Sequence, residues 1–271
     1  MINTKSVVLM SAVGFAVLAL GASQARASGN VSVSVNLGVM TVTGDAADNS
    51  VVIEGTLDTS VFLVTPGDGS TTINGASSPY TTPVANHEVY IDMGGGSDDL
   101  VMNNVTITRL CKITTGIGDS SVTMNNVVLN KQLRLTMGDG TNLIDMNNTD
   151  ISEPSKIVTG NGPDSVLFDD VEYRGGITTK NGDDIVVLAN SHHVDPKGKL
   201  AVKTGNGADQ FTLTDANWRG KILVNTGNDV DTVTVGNITV GAYVKITGGP
   251  DADVLIDNGG HTGTPQFISF P

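Results

Sequence analysis

Cysteine, aromatic residues and positive charge are all scarce in this chain, and each scarcity removes a class of protein. One Cys in 271 residues, Cys111, permits no internal disulfide and no zinc site built on paired thiolates. Aromatic residues make up 4% of the chain with Trp218 as the single Trp, so no stacking platform for sugars is evident. Lys and Arg total 15 against 28 Asp and Glu, a formal charge of −13. That balance argues against nucleic acid, whose phosphates demand cations. Beyond residue 27, apolar residues do not recur at three- and four-residue steps, so no amphipathic helix is predicted. No stretch there is long and apolar enough to cross a bilayer as a helix. No Ser/His/Asp arrangement and no phosphate-cradling loop is visible.

Glycine, by contrast, is plentiful at 33 residues, and much of it sits in a repeat. The polar residue after each Gly-rich turn serves as an anchor. The anchors are Asn49, Thr71, Asp98, Ser120, Asn142, Asp164, Asp184, Asp209, Asp231 and Asp253, with spacings of 22, 27, 22, 22, 22, 20, 25, 22 and 22. A fixed period in this range signals stacked coils, a solenoid.

Four apolar columns accompany the anchors. They stand two after (Val122, Ile144, Val166), four after (Met124, Met146, Phe168), seven before (Ile113, Leu135, Ile157) and nine before (Cys111, Leu133, Leu200). Ser155 and Gly175 break the last of these. The residues between are mostly Thr, Asn, Asp or Lys, a period of two that predicts short strands with one buried face. One such coil has no partner for its own backbone N–H and C=O groups; its equivalent one lap later supplies them by parallel pairing. Ordering a residue costs about 1–2 kcal/mol, and a few inward side chains at about 1.5–3 kcal/mol each cannot offset that within one coil. Stacking is therefore obligatory. The predicted fold is all-β, a single-stranded parallel β-helix of about ten 22-residue coils, right-handed by the crossover rule.

Polar ladders mark the corners. Six after the anchor stand Asn104, Asn126, Asn148, Asp170, Asn190, Asp215 and Asn237, residues that tolerate left-handed geometry and can bond to one another along a stack. Five before it, Thr115, Thr159, Thr179, Thr204 and Thr226 form a second row. Cys111 falls in an apolar column, which predicts a buried small hydrophobe and not a reactive thiol.

In chain order, residues 1–27 read as a secretory signal peptide: Lys5, an apolar core from Val7 to Leu20, and Ala25-Arg26-Ala27 as a small-residue cleavage site. Removing them takes away two cations and no acid, so −13 becomes −15. Residues 28–271 form one predicted β-helix domain: cap and irregular coils at 28–88, regular coils at 89–259, and a closing segment at 260–271. The segment around Pro79 and His87 and the corner starting at Ser191, with His192 and His193, read as insertions. Such insertions commonly carry function in solenoids.

The turns Gly94-x-Gly96-x-Asp98, Gly160-x-Gly162-x-Asp164 and Gly205-x-Gly207-x-Asp209 resemble the calcium-binding nonapeptide of the repeats-in-toxin family. That resemblance implies a parallel β-roll holding Ca²⁺ between turns. The chain departs from the pattern in having one such turn per coil, and Ser120 and Asn142 stand where the family has Asp. The coil length resembles instead the parallel β-helix of pectate lyases and related carbohydrate-active proteins. Asp164, Asp184, Asp209, Asp231 and Asp253 occupy consecutive coils about 4.8 Å apart, and such a carboxylate column invites a hard cation. These five are the candidate metal ligands and calcium the candidate cofactor, against the alternative that each Asp caps its own turn. Lys112, Arg134 and Lys156 stack into a basic row, with Arg109 and Lys131 beside it. The row either grips an acidic polysaccharide or relieves negative self-repulsion. The function expected is a secreted or cell-surface structural or adhesive repeat protein, its partner an extracellular polysaccharide or cell-envelope component. The alternative is a polysaccharide lyase or hydrolase, for which no catalytic residue stands out.

Overall fold

The computed structural model describes residues 29–85, 88–262 and 265–267. The signal-peptide reading, His87 and the last residues of the closing segment lie outside them. The described chain is all-β, a parallel solenoid of about eight turns and no helix. Two sheets run its length, one of 12 strands in a single ladder and one of 16 that comprises a long ladder of 11 and five short strands beside it. The first stacks Val89–Asp92, Cys111–Thr114, Leu133–Thr136 and their successors to Val244–Thr247. The second stacks Asp99–Asn103, Ser121–Asn125, Leu143–Ile151 and onward to Val254–Asp257. Register follows the repeat: Val122 lies opposite Ile144, and Met124 opposite Met146.

A third, shorter ladder closes each lap, and sequence reasoning did not find it. Thr106–Ile107, Val128–Leu129 and the end of Leu143–Ile151 pair in register, as do His192–His193, Asn217–Trp218 and Thr239–Val240. Its inward column nine after the anchor is Ile107, Leu129, Ile151, Tyr173, His193, Trp218 and Val240, all buried. Three of its members, Tyr173, His193 and Trp218, carry polar atoms, and that obscured an apolar signal already only two residues long per coil. The two His therefore do not sit on a solvated loop. His193 is 3% exposed, its ring 6.1 Å from that of Trp218. Gly198 makes room for it, since a Cβ there would meet His193 Nε2 at 2.0 Å.

The start of the chain corrects the count of ten coils. Val39–Thr43 and Ser50–Gly55 stack in parallel directly on Val89–Asp92 and Asp99–Asn103, so the Asn49 coil neighbours the Asp98 coil 49 residues on. The copy anchored at Thr71 leaves the stack. Phe62–Pro66 turns back antiparallel on Ser50–Gly55, and Tyr80–Thr81 pairs antiparallel with it in turn. Asn30–Asn36 likewise forms an antiparallel hairpin with Val39–Thr43, through the positive-φ pair Leu37 and Gly38. The Pro79 segment, read from the sequence as an insertion between coils, is thus part of a cap. Reversed strands at one end occupy the edge that a parallel stack leaves open. At the other end Pro265–Phe267 extends the first ladder in parallel.

Candidate functional site

The five candidate metal ligands do form a column, but it faces the interior. Asp164 is 1% exposed, and Asp184, Asp209 and Asp231 are fully buried; Asp253, on the last coil, is partly exposed. Each carboxyl takes a backbone hydrogen bond from the coil before it. The N–H of Asn142 donates to Asp164 Oδ1 at 2.9 Å, and that of Asp164 to Asp184 Oδ1 at 2.9 Å. The N–H of Asp184 donates to Asp209 Oδ1 at 2.8 Å, that of Asp209 to Asp231 Oδ1 at 2.9 Å, and that of Asp231 to Asp253 Oδ1 at 2.9 Å. The anchor is therefore the device that joins one corner to the next. Among the described residues, no group of three or more His, Cys, Asp or Glu is placed to hold a metal ion.

The second oxygen of each carboxyl decides its protonation. Oδ2 of Asp98, Asp164, Asp184, Asp209 and Asp231 is buried and completes no hydrogen bond. Burial pushes Asp209 up to about 7 and Asp184 up to about 6, opposed by the adjacent Thr204 and Thr179 hydroxyls and by the backbone N–H. Burial likewise takes Asp98 to about 7, and raises Asp164 and Asp231. A neutral carboxyl resolves the geometry, because its O–H can donate where a carboxylate could only accept. The Thr row beside it is also interior, fully buried at Thr159, Thr179 and Thr204. Their hydroxyls donate onward along the stack, Thr159 to the Thr179 carbonyl at 3.2 Å, Thr179 to that of Thr204 at 3.1 Å, and Thr204 to that of Thr226 at 2.7 Å.

Where the anchor is an amide, no proton is needed. Asn142 Oδ1 accepts the Ser120 N–H at 3.3 Å while its Nδ2 donates to the carbonyls of Gly138 and Gly140 at 2.9 and 3.3 Å.

The outer corners hold the predicted Asn ladder. Asn104, Asn126, Asn148, Asp170, Asn190, Asp215 and Asn237 all have φ between 46° and 55°. Asn126 donates to Asn104 at 3.1 Å and Asn148 to Asn126 at 2.7 Å. A further ladder runs through an Asn of the Gly-rich turn, three before the anchor: Asn181 to Asn161 at 2.7 Å, Asn206 to Asn181 at 2.6 Å, Asn228 to Asn206 at 2.5 Å. The Asn repeated three before Asp164, Asp184, Asp209 and Asp231 was its available signal.

Lys112, Arg134 and Lys156 stand opposite one another on three consecutive coils, exposed on the outer face of the first ladder. Cys111 beside them is fully buried, its thiol pushed up to about 12 by that burial. The insertions do not converge. Of five well-formed concavities of 240 to 580 Å³ on the described surface, none is lined by both the Pro79 segment and the Ser191 corner. Among the described residues, no helix is long and apolar enough to cross a membrane. No protein-family model, curated protein or solved structure matches this chain.

Proposed function

We propose that the chain is an exported structural or adhesive repeat protein that works outside the cytoplasm as a rigid rod. The observation that carries this reading is the uninterrupted corrugated surface, whose concavities are shallow and shared by equivalent positions of successive coils. A lyase or hydrolase needs acid–base groups gathered at one point, and the two insertions that could wall such a site lie on different parts of the stack. The acidic composition suits an exported, soluble rod.

The stabilising role expected of calcium passes, in this reading, to protons on the inner column. Fractionation of the expressing cell tests the proposal: the mature chain, shortened at Ala27, is expected in the envelope or medium. A full-length chain retained in the cytoplasm overturns it. An assay of acidic polysaccharides for unsaturated products, with and without Ca²⁺, is expected to show no turnover; turnover selects the lyase.

A further inference from the structure

Every Lys and Arg among the described residues lies on the first ladder or on the corner leading into it. The second ladder carries none from Asp99 to Asp257, and neither does the cap. The acids are segregated the other way. From Cys111–Thr114 to Val244–Thr247, the strands of the first ladder hold no Asp or Glu. Relief of self-repulsion does not account for this. A chain diluting its own negative charge gains most by interleaving cations with acids, whereas collecting them on one face builds a potential of one sign there.

The cations of this face are also left available. Among the described residues, ion pairs of Lys or Arg with acids are confined to the corners, Lys131 with Glu153 and Arg174 with Glu153 and Asp195. Lys112, Lys156, Lys199, Lys203 and Lys245 on the strands are exposed and in no such pair. Lys221 lies over the Tyr243 ring, 5.4 Å from its centre. Lys199 and Lys221 are opposite one another, and Lys203 lies four residues along its strand from Lys199, on the same side.

Three concavities join into a track along the rear of this face. One of 360 Å³ at Arg174, Gly176 and Lys197 shares Lys199 and Ala201 with one of 240 Å³. The latter shares Lys203, Asn225 and Thr247 with one of 470 Å³. The small side of the floor, Gly175, Gly176 and Ala201, lets a chain lie close to the backbone.

We propose that this face binds a linear carboxylated polysaccharide, laid along the stack across the strands, with Lys199, Lys203, Lys221 and Lys245 on its carboxylates. The inference deepens the adhesive reading and rests on it. Strands repeat at about 4.8 Å, close to the advance of one sugar ring in an extended glycan, so successive coils meet successive rings. Charge complementarity selects a polyanion. A flat sheet face enters no duplex groove, and Tyr90 and Tyr243 at its two ends make no continuous platform for stacking bases.

The test is isothermal titration of the mature chain with polyglucuronate, with its methyl ester and with a single-stranded oligonucleotide of equal charge. Binding is expected for polyglucuronate alone, weakening as salt rises. The variant Lys199→Gln/Lys203→Gln/Lys245→Gln is expected to bind at least tenfold more weakly with an unchanged melt, while Arg219→Gln on a corner binds as the parent does. Absence of binding, equal binding by the triple variant, or preference for the ester or the oligonucleotide overturns the proposal. A chain correctly exported yet unable to bind separates this failure from failure of the rod reading itself.

Discussion

The coils anchored by Ser120 and Asn142 and those anchored by Asp184, Asp209 and Asp231 share a backbone and differ in how they close its inner corner. In both, the anchor accepts the N–H of the preceding anchor. In the front coils a hydroxyl or an amide does this while staying neutral at every pH of interest. The rear coils use a buried carboxyl, which is neutral only when it carries a proton. The residue five before does not follow the anchor strictly: Met137 precedes Asn142 and Met93 precedes Asp98, while Thr115 precedes Ser120 as Thr179, Thr204 and Thr226 precede the rear Asp residues. One scaffold thus holds two corners indifferent to pH, at Ser120 and Asn142, flanked by carboxyl corners at Asp98 and in the rear whose cohesion depends on proton uptake.

The largest expected effect breaks what the halves have in common. Gly205 has φ +122°, and a Cβ there would lie 1.4 Å from the Lys180 carbonyl oxygen of the previous coil. Gly138 in the front would bring a Cβ to 1.7 Å from the Gly116 oxygen. Gly205→Val and Gly138→Val should each cost about 4 kcal/mol or more, seen as loss of the cooperative melt. Gly176→Ala meets nothing nearer than 3.9 Å and should leave the melt in place. Equal damage at both ends would show that coil contact is indifferent to anchor chemistry.

Asp209→Ala and Ser120→Ala then separate the halves. Each strands one buried N–H, that of Asp184 or that of Asp98. The cost of an unsatisfied buried donor is about 1–3 kcal/mol. The Asp209 variant should lie at the upper end below pH 5 because a larger group is also lost. Urea titration at pH 5 and pH 8 measures both. The difference between the two variants should shrink at pH 8, where the parent Asp209 column is already weakened.

The sign of that pH effect follows from the raised carboxyls. Their contribution is complete below the unfolded value of about 4 and is lost as pH rises through the folded values, about 6 for Asp184 and about 7 for Asp209. His193 works oppositely, since burial lowers it and it must stay neutral, so its term is lost on acidification. The clean window is therefore pH 6.5 to 8, where stability should fall as pH rises. Asp209→Asn, with an amide placed as Asn142 has it, should flatten the slope there and raise stability at pH 8 by about 1 kcal/mol. A slope unchanged by the substitution removes Asp209 from the account.

Much of this arrangement was legible in the residues, and the limits have physical causes. Periodicity placed Val122 over Ile144 because one buried face imposes a period of two. The positive φ at Asn104 and its successors followed from the tolerance of Asn and Asp for that region. Direction was harder. The Asp column reads identically whether its carboxyls face water or the interior, because a corner residue belongs to no strand and its orientation escapes the alternation. The Thr71 copy carries the right spacing and apolar columns, yet it turns back: an antiparallel strand shows the same alternation as a parallel one. Its anchor does an equivalent job from the reversed side, Thr71 Oγ1 accepting the Ser50 N–H at 2.9 Å.

A smaller effect is expected on the outside of the front coils. Asn126→Ala removes two exposed ladder bonds, to Asn104 and from Asn148, and gives up a residue that tolerates φ 54°. Exposed amides regain water, so the loss should be about 1 kcal/mol, most of it conformational. Asn126→Gly should recover most of it in the same urea titration. If Gly fails to rescue, the ladder bonds themselves carry the stability.

The smallest expected effect is that of calcium. An ion in the rear column would need carboxylates, and the column there favours the proton: Asp184 and Asp209 are fully buried, their Oδ1 atoms are taken by backbone N–H groups, and their Oδ2 atoms complete no hydrogen bond. Calcium would have to displace those protons and bring oxygen ligands the corner lacks. Melting curves at pH 6.5 and fixed ionic strength should therefore coincide with Ca²⁺ and with a chelator. At pH 8, where the column is losing its protons, the same pair of curves is the stricter comparison. A rise of several degrees with Ca²⁺ at pH 8, absent in Asp209→Asn, would return the metal to the rear coils and make proton and calcium competitors for one site.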